Sequence, residues 1–235
     1  MAVPNSPWHR EPPRRASKPQ LSRELIVKTA LEILAAEGID AVSMRRVAQA
    51  LETGPASLYA HVSNKDELDE LMFDRILGDA PIPAPDPSRW AEQIKELLRA
   101  QLAAMLSHPG IAKVAWNTMV PIGPNALRHG EAMIALLRAG GLPPRQAMFA
   151  GDALSMYTKA FAYEGSVWMS GDVDQQELAQ RSEYLKSLPA NEFPNLLQMS
   201  GLFSGETAGE RFEYALDMFL AGISGGKAAH DTVGE

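Results

Sequence analysis

The chain has 235 residues and no cysteine, with 46% apolar and 22% charged side chains. This excludes a disulfide scaffold, a thiolate metal site and a cysteine nucleophile, and it is the composition of a globular protein rather than of a fibrous repeat or a disordered chain. The net charge of −7 is unfavourable for a phosphate partner, but it is unevenly spread. Residues 1–65 hold nine Lys/Arg against six Asp/Glu, and residues 66–235 hold thirteen against twenty-three. Local field, not the whole-chain sum, governs docking on phosphate. No apolar run approaches the ~18–20 residues of a membrane span, and no secretory signal opens the chain. A cytoplasmic location with no membrane partner is expected.

In chain order, residues 1–20 carry five prolines with Arg10, Arg14, Arg15 and Lys18. Proline at this density blocks helix and ladder alike, so the segment reads as a disordered basic arm. Two roles stay open for it, phosphate or minor-groove contacts through its arginines and an inert tail. From 21 to 80 the apolar spacing is helical. A proline cluster between Pro81 and Pro87 reads as a stiff connector. Long helical stretches follow to about 225, broken at Pro109, Pro121–Pro124, Gly140-Gly141, Pro143-Pro144, Gly171 and Pro189. Residues 226–235 read as a flexible tail. No alternating β-branched run occurs, so the predicted fold is all-α: a three-helix N-terminal unit over 21–80 and a helical bundle over 81–225, about nine or ten helices in all.

Ser22 is a suitable N-cap for a helix over about 22–37, with Leu25, Ile26, Thr29, Ala30, Ile33 and Leu34 as its buried stripe and Gly38 as its stop. Ser43 caps a second helix with Met44, Val47, Ala48 and Leu51 inward. Gly54 is expected to supply a positive φ for a sharp turn, and Pro55 opens a third helix of about two turns, Ala56 to Val62. Leu58 and Val62 face inward, leaving Ser57, Tyr59, Ala60 and His61 outside. Asn64 and Glu67 form a capping box for a fourth helix, with the stripe Leu68, Leu71, Met72, Arg75 and Ile76. Two short helices joined by a tight turn behind a supporting helix are the helix-turn-helix arrangement, whose small polar outer face can approach a major groove. Ordinary core packing of three short helices fits the same periodicity.

The run Ile39 to Ala48 and the segment Ser57-Leu58-Tyr59-Ala60-His61-Val62-Ser63-Asn64-Lys65-Asp66-Glu67-Leu68 resemble the DNA-binding domain of the Tet repressor (TetR) family. More weakly, Ser107 to Val114 and Leu136 to Leu142 are similar to the Tet-repressor-type regulatory domain. The resemblance implies a homodimeric, ligand-responsive repressor of a palindromic operator, released by a small-molecule effector. It places Arg45 on phosphate, Pro55, Ala56, Ser57, Tyr59, Ala60 and His61 along the major groove, and Lys65 on a backbone phosphate. Pro55 and Ala60 stand where the founding member has a glutamine and a bulky aromatic, so a different operator is implied.

The founding member's ligand and metal contacts are also replaced. Pro81, Leu97 and Ala115 stand where it has histidine, asparagine and histidine, and of its acidic metal contact only Glu164 remains. Lost polar partners abolish recognition of a polar ligand, so neither a tetracycline response, a metal nor any cofactor is expected. The candidate effector pocket is Leu97, Gln101 and Met105 on helix five, Trp116 and Met119 on a short helix six, Met133 on helix seven, and Asp152, Ser155, Met156 and Lys159 on helix eight. Such a lining suits a largely apolar effector. A methionine stripe is also what a plain core looks like, so Gln101, Asp152 and Lys159, polar groups on apolar faces, carry the assignment. The stripe Phe212, Ala215, Leu216, Phe219, Leu220 and Ile223, after the capping box Thr207-x-x-Glu210, reads as a dimer surface by resemblance, or as packing within one subunit.

Two enzyme signatures fail on context. Gly222-Ile223-Ser224-Gly225-Gly226 matches Gly-x-Ser-x-Gly without the strand before it or the acid and histidine after it. His129-Gly130-Glu131 is half of a zinc deaminase motif in a chain without cysteine. A non-enzyme is expected. The alternative is a ligand-independent architectural DNA-binding protein built on the same first helices.

Overall fold

A computed structural model describes residues 20–171, 173–199 and 207–226. Among them there is no strand, and no helix is long and apolar enough to cross a membrane. The predicted arm (apart from Gln20) and the tail beyond Gly226 lie outside the described residues.

The first helix, α1 (Arg23–Glu37), is capped by Ser22, whose Oγ accepts from Leu25 N at 3.2 Å. It buries Ile26, Val27, Thr29, Ala30, Ile33 and Leu34. Gly38 ends it at φ 84°, ψ 171°, a conformation glycine alone adopts without strain. A 3₁₀ turn (Ile39–Ala41) leads to α2 (Met44–Ala50), capped by the Ser43 hydroxyl, which accepts from Arg46 N. Then comes α3 (Pro55–Leu58), one turn of helix rather than the two expected, continued by hydrogen-bonded turns that bring Val62 back to Leu58 O at 2.9 Å. The spacing Leu58–Val62 survives because both are fully buried. The turn before α3 differs from expectation. Gly54 is extended (φ −81°), and the left-handed residue is Glu52 at φ 49°. A single left-handed residue costs a non-glycine side chain about 1 kcal/mol, small beside the burial of Val47, Ala48 and Leu58 that the turn permits.

Helix α4 (Lys65–Leu77) has the predicted box: Asn64 Oδ1 accepts from Glu67 N at 2.8 Å, and the Glu67 carboxylate reaches back to Ser63 N at 2.6 Å. Its buried face is Leu68, Met72, Phe73, Asp74, Ile76 and Leu77. Arg75, expected in the stripe, is exposed and paired with Asp79, because the face rotates to present Phe73 and Leu77 to the second unit.

The second unit comprises α5 (Trp90–Leu106), α6 (Ile111–Asn117), α7 (Pro124–Ala139), α8 (Pro144–Ser170), α9 (Gln175–Lys186), α10 (Pro194–Met199) and α11 (Ala208–Gly226). Proline opens α7, α8 and α10, as the breaks in the sequence require. Helices α9 and α10 bury no residue. The core is in two parts. One joins α1–α4 to Met105, Ile111, Ala112, Val114, Ala115, Ala126 and Ala162; the other joins α5, α7, α8 and α11. Helix α11 is held to α5 by Arg99, which donates to both Glu213 oxygens at 2.6 and 2.8 Å, and to α8 by Tyr157 stacked on Phe212 with ring centroids 5.7 Å apart. Of its predicted stripe, Phe212, Leu216 and Leu220 turn inward, while Ala215, Phe219 and Ile223 line an open trough beside α8. Gly110 opens α6 at φ 92°, with the Ile39 Cβ only 2.8 Å from where a side chain would begin, so the two units meet here at backbone distance.

Candidate functional site

The outer face of the first unit consists of Arg45 on α2, Pro55, Ala56 and Ser57 on α3, and Tyr59 and Ala60 just after it, all exposed; Tyr59 keeps 53% of its surface. His61 is half-buried, and its carbonyl accepts from Arg23 Nε at 3.1 Å. Two clamps hold this face. Arg23 also pairs with Glu67 at 3.3 Å, tying α1 to the corner before α4. Arg46 donates through Nε to Glu37 at 3.1 Å and through a second nitrogen, tying α1 to α2 and holding the Glu37 carboxyl below its usual range. Adjacent arginines therefore divide their work: Arg46 is committed within the protein, while Arg45 makes no ion pair among the described residues. Lys65, which the resemblance places on a backbone phosphate, is engaged within the protein. Its Nζ is paired with Asp69, one turn on. Burial pushes the Asp69 carboxyl up, against the pull of Lys65.

A cavity of about 460 Å³ lies between α4, α5, α7, α8 and the segment after α6. Of the candidate pocket residues, Gln101, Met105, Met119, Met133, Asp152, Ser155 and Lys159 line it. Three predicted residues do not. Leu97 is fully buried in the core between α5, α7, α8 and α11. Trp116 is half-exposed on the outer face of α6, because Ile111, Ala112, Val114 and Ala115 occupy the inner one. Met156 is on the exposed side of α8, about 100° around the helix from Ser155. Met119 reaches the cavity from a loop, since α6 ends at Asn117, two residues earlier; Thr118 caps it by donating to Val114 O at 3.0 Å.

Several lining residues were not anticipated: Phe73 and Leu77 from α4, Val120 and Pro121 after α6, and His129 on α7. Periodicity held the clue to His129, which precedes Met133 by one turn on the same face. It is 4% exposed. Its Nε2 donates to Leu77 O at 2.9 Å, and its Nδ1 faces Gln101 Nε2 at 3.1 Å, an arrangement that suits the neutral ring. Burial pushes its pKa down, against the pull of the Leu77 carbonyl. Lys159 is half-buried, and burial pushes its ammonium down too, with Asp152 opposing. Glu164 is turned away in a 2.7 Å pair with Arg211.

Helix α4 connects the two places. Its N-terminal cap follows the exposed face within a few residues, and its C-terminal half walls the cavity. It is latched to α7 by the buried Asp74, whose Oδ1 accepts from Asn125 N at 2.8 Å and Ala126 N at 2.9 Å, capping the α7 N-terminus from outside. Gly123 stands against that carboxylate, where any side chain would collide with it.

Short exposed reader, supporting helices and a cavity bearing on the connecting helix define a helix-turn-helix regulator. Residues 26–70 match the bacterial regulatory proteins of the tetR family, and residues 82–225 match the tetracyclin repressor-like C-terminal domain. The chain belongs to the TetR family of transcriptional regulators, which are not enzymes. Residues 222–226, with the Gly-x-Ser-x-Gly pattern, are the last turn of α11. An HTH-type transcriptional regulator of Saccharopolyspora erythraea is 33% identical over 190 residues, 81% of this chain and 78% of that one. ActR from Streptomyces coelicolor, solved in complex with actinorhodin, is 45% identical with a TM-score of 0.81, covering 88% of this chain and 99% of that chain. The class D tetracycline repressor of Escherichia coli is 26% identical over 210 residues, 87% of this chain and 89% of the relative.

Proposed function

We propose that the chain acts as a homodimer that represses transcription from a palindromic operator and lets go when an organic effector enters the cavity. The observation that carries this reading is α4, which starts beside the exposed face and ends as a wall of the cavity. In this reading Pro55, Ala56, Ser57, Tyr59, Ala60 and His61 follow the major groove, and Arg45 takes a phosphate. Lys65 takes a phosphate by exchanging Asp69 for it. The trough lined by Phe149, Ala153, Tyr157, Met218, Phe219 and Ile223 supports pairing of α8 and α11 with their mates, since it gathers the exposed Phe149 and Met218 into one apolar surface along both helices. Paired readers would enter successive grooves about 34–36 Å apart. The methionine-rich lining supports a largely apolar effector, and the complex of ActR with actinorhodin supports an organic small molecule as its class.

Selection from a random double-stranded library, with the oligomeric state measured in parallel, tests the reading. A dimer enriching a few palindromes is expected. A monomer, or a dimer with a flat preference across sequences, overturns it, and the latter outcome is what an architectural DNA-binding protein gives.

A further inference from the structure

The cavity holds a cation that forms no ion pair among the described residues. Its polar lining is Gln101, His129, Asp152, Ser155 and Lys159. Gln101 and His129 face each other, and the imidazole is engaged at both nitrogens in a way that suits its neutral form. Among the described residues, that leaves Lys159 as the one cation of the wall. It makes no hydrogen bond or ion pair among the described residues, although it is half-buried in a lining it shares with Met105 and Met133. Asp152, on the same face of α8, lies seven residues away, about 10 Å along the axis, and is exposed to solvent. The Asp152 carboxylate pulls on the ammonium through space but forms no ion pair with it, and water screens its exposed side.

Resting on the reading of the cavity as the effector site, we infer that the effector is an organic acid: an apolar body carrying one group ionised at neutral pH, seated with that group against Lys159 Nζ. The apolar body meets Phe73, Leu77, Met105 and Met133, and Ser155, one turn before Lys159, supplies a second donor to the same anionic group. An ammonium stripped of part of its water gains more from an arriving anion than an exposed one does, because the local dielectric is low on its protein side. A neutral ligand of the same shape would leave that charge unanswered. Selectivity for the ionised form thus comes from a half-buried ammonium that no side chain among the described residues pairs directly.

Two fluorescent probes with the same ring system test this in the full-length protein: 1-anilinonaphthalene-8-sulfonate and N-phenyl-1-naphthylamine, which differ only in the sulfonate. Affinities are compared in the unaltered chain and in Lys159→Met, Lys159→Arg and Ser155→Trp, with Lys159→Gln used if the methionine variant fails to fold. Lys159→Met should weaken the sulfonate about tenfold or more and leave the neutral probe within about twofold, while Lys159→Arg keeps the preference for the sulfonate. Ser155→Trp, which fills the cavity, should abolish both. If Ser155→Trp abolishes both but Lys159→Met weakens neither or both alike, the cavity stands and the inference about charge fails. If both probes bind unaffected by Ser155→Trp, or neither binds the unaltered chain, the reading of the cavity itself falls and the inference with it.

Discussion

The exposed reader and the cavity are built on opposite principles. The reader is small and stiff: α3 is a single turn, held by two buried side chains, a left-handed residue before it and arginine clamps from α1 and α2. The cavity is walled by unbranched methionines and closed on one side by a loop, with a polar relay, Gln101–His129–Leu77, across it. A surface that reads a repeating lattice gains from stiffness, because misplacement forfeits contacts. A surface that accepts small molecules gains from side chains that can rearrange. Between them, α4 is capped in one region and latched in the other, so it must obey both.

The largest effect should come from cutting the latch. Asp74→Ala orphans two amides at the start of α7, that of Ala126 buried and that of Asn125 part-buried, and should cost about 3 kcal/mol in chemical denaturation while the reader's own clamps remain. A loss under about 1 kcal/mol would mean that solvent satisfies those amides and the latch is weak. Next is Tyr59→Ala, expected to weaken operator binding by about 1–3 kcal/mol with no change in melting temperature or oligomeric state. If the variant unfolds instead, the ring belongs to the core and the comparison is wrong.

A smaller effect separates the regions by pH. His129 is pushed below the ordinary imidazole value by burial, so in the window just under that value the unfolded chain binds a proton that the folded chain refuses. Stability should therefore fall as pH drops through this window. His129→Gln should flatten the acid side of the profile, measured by urea unfolding at stepped pH, whereas a substitution at the exposed face should not. The smallest effects concern the neighbouring arginines. Arg45→Ala should reduce the salt dependence of DNA binding by about one ion and leave stability alone. Arg46→Ala should lower the melting temperature slightly and affect DNA only through that loss. Reversed outcomes would exchange the two assignments.

What the residues announced depended on whether the signal was local. Ser22, Ser43 and Asn64 each cap the helix they were expected to cap, because a capping side chain acts within three residues of itself. The inward pair Leu58 and Val62 held even though the helix between them proved shorter. Gly54 misled because glycine permits a left-handed backbone without requiring it, and Glu52 took that conformation. The site was legible where helix phase decides it: Asp152, Ser155 and Lys159 share a face at three- and four-residue spacing. Trp116 and Met156 failed because which face of a helix looks inward depends on partners far along the chain, and bulk alone does not say. Phe73 and Leu77 were missed for the same reason, since their role arises where α4 meets helices 50 to 80 residues later.

The seam at Gly110 has a practical consequence. Because Ile39 sits almost on the backbone of the α6 entry, and because Met105, Ile111, Ala112, Val114 and Ala115 complete the interior of α1–α4, scissors placed at the proline connector would leave two raw greasy scars. Chimeras that graft this head onto a relative's body should succeed only when the donor also supplies residues 105–115.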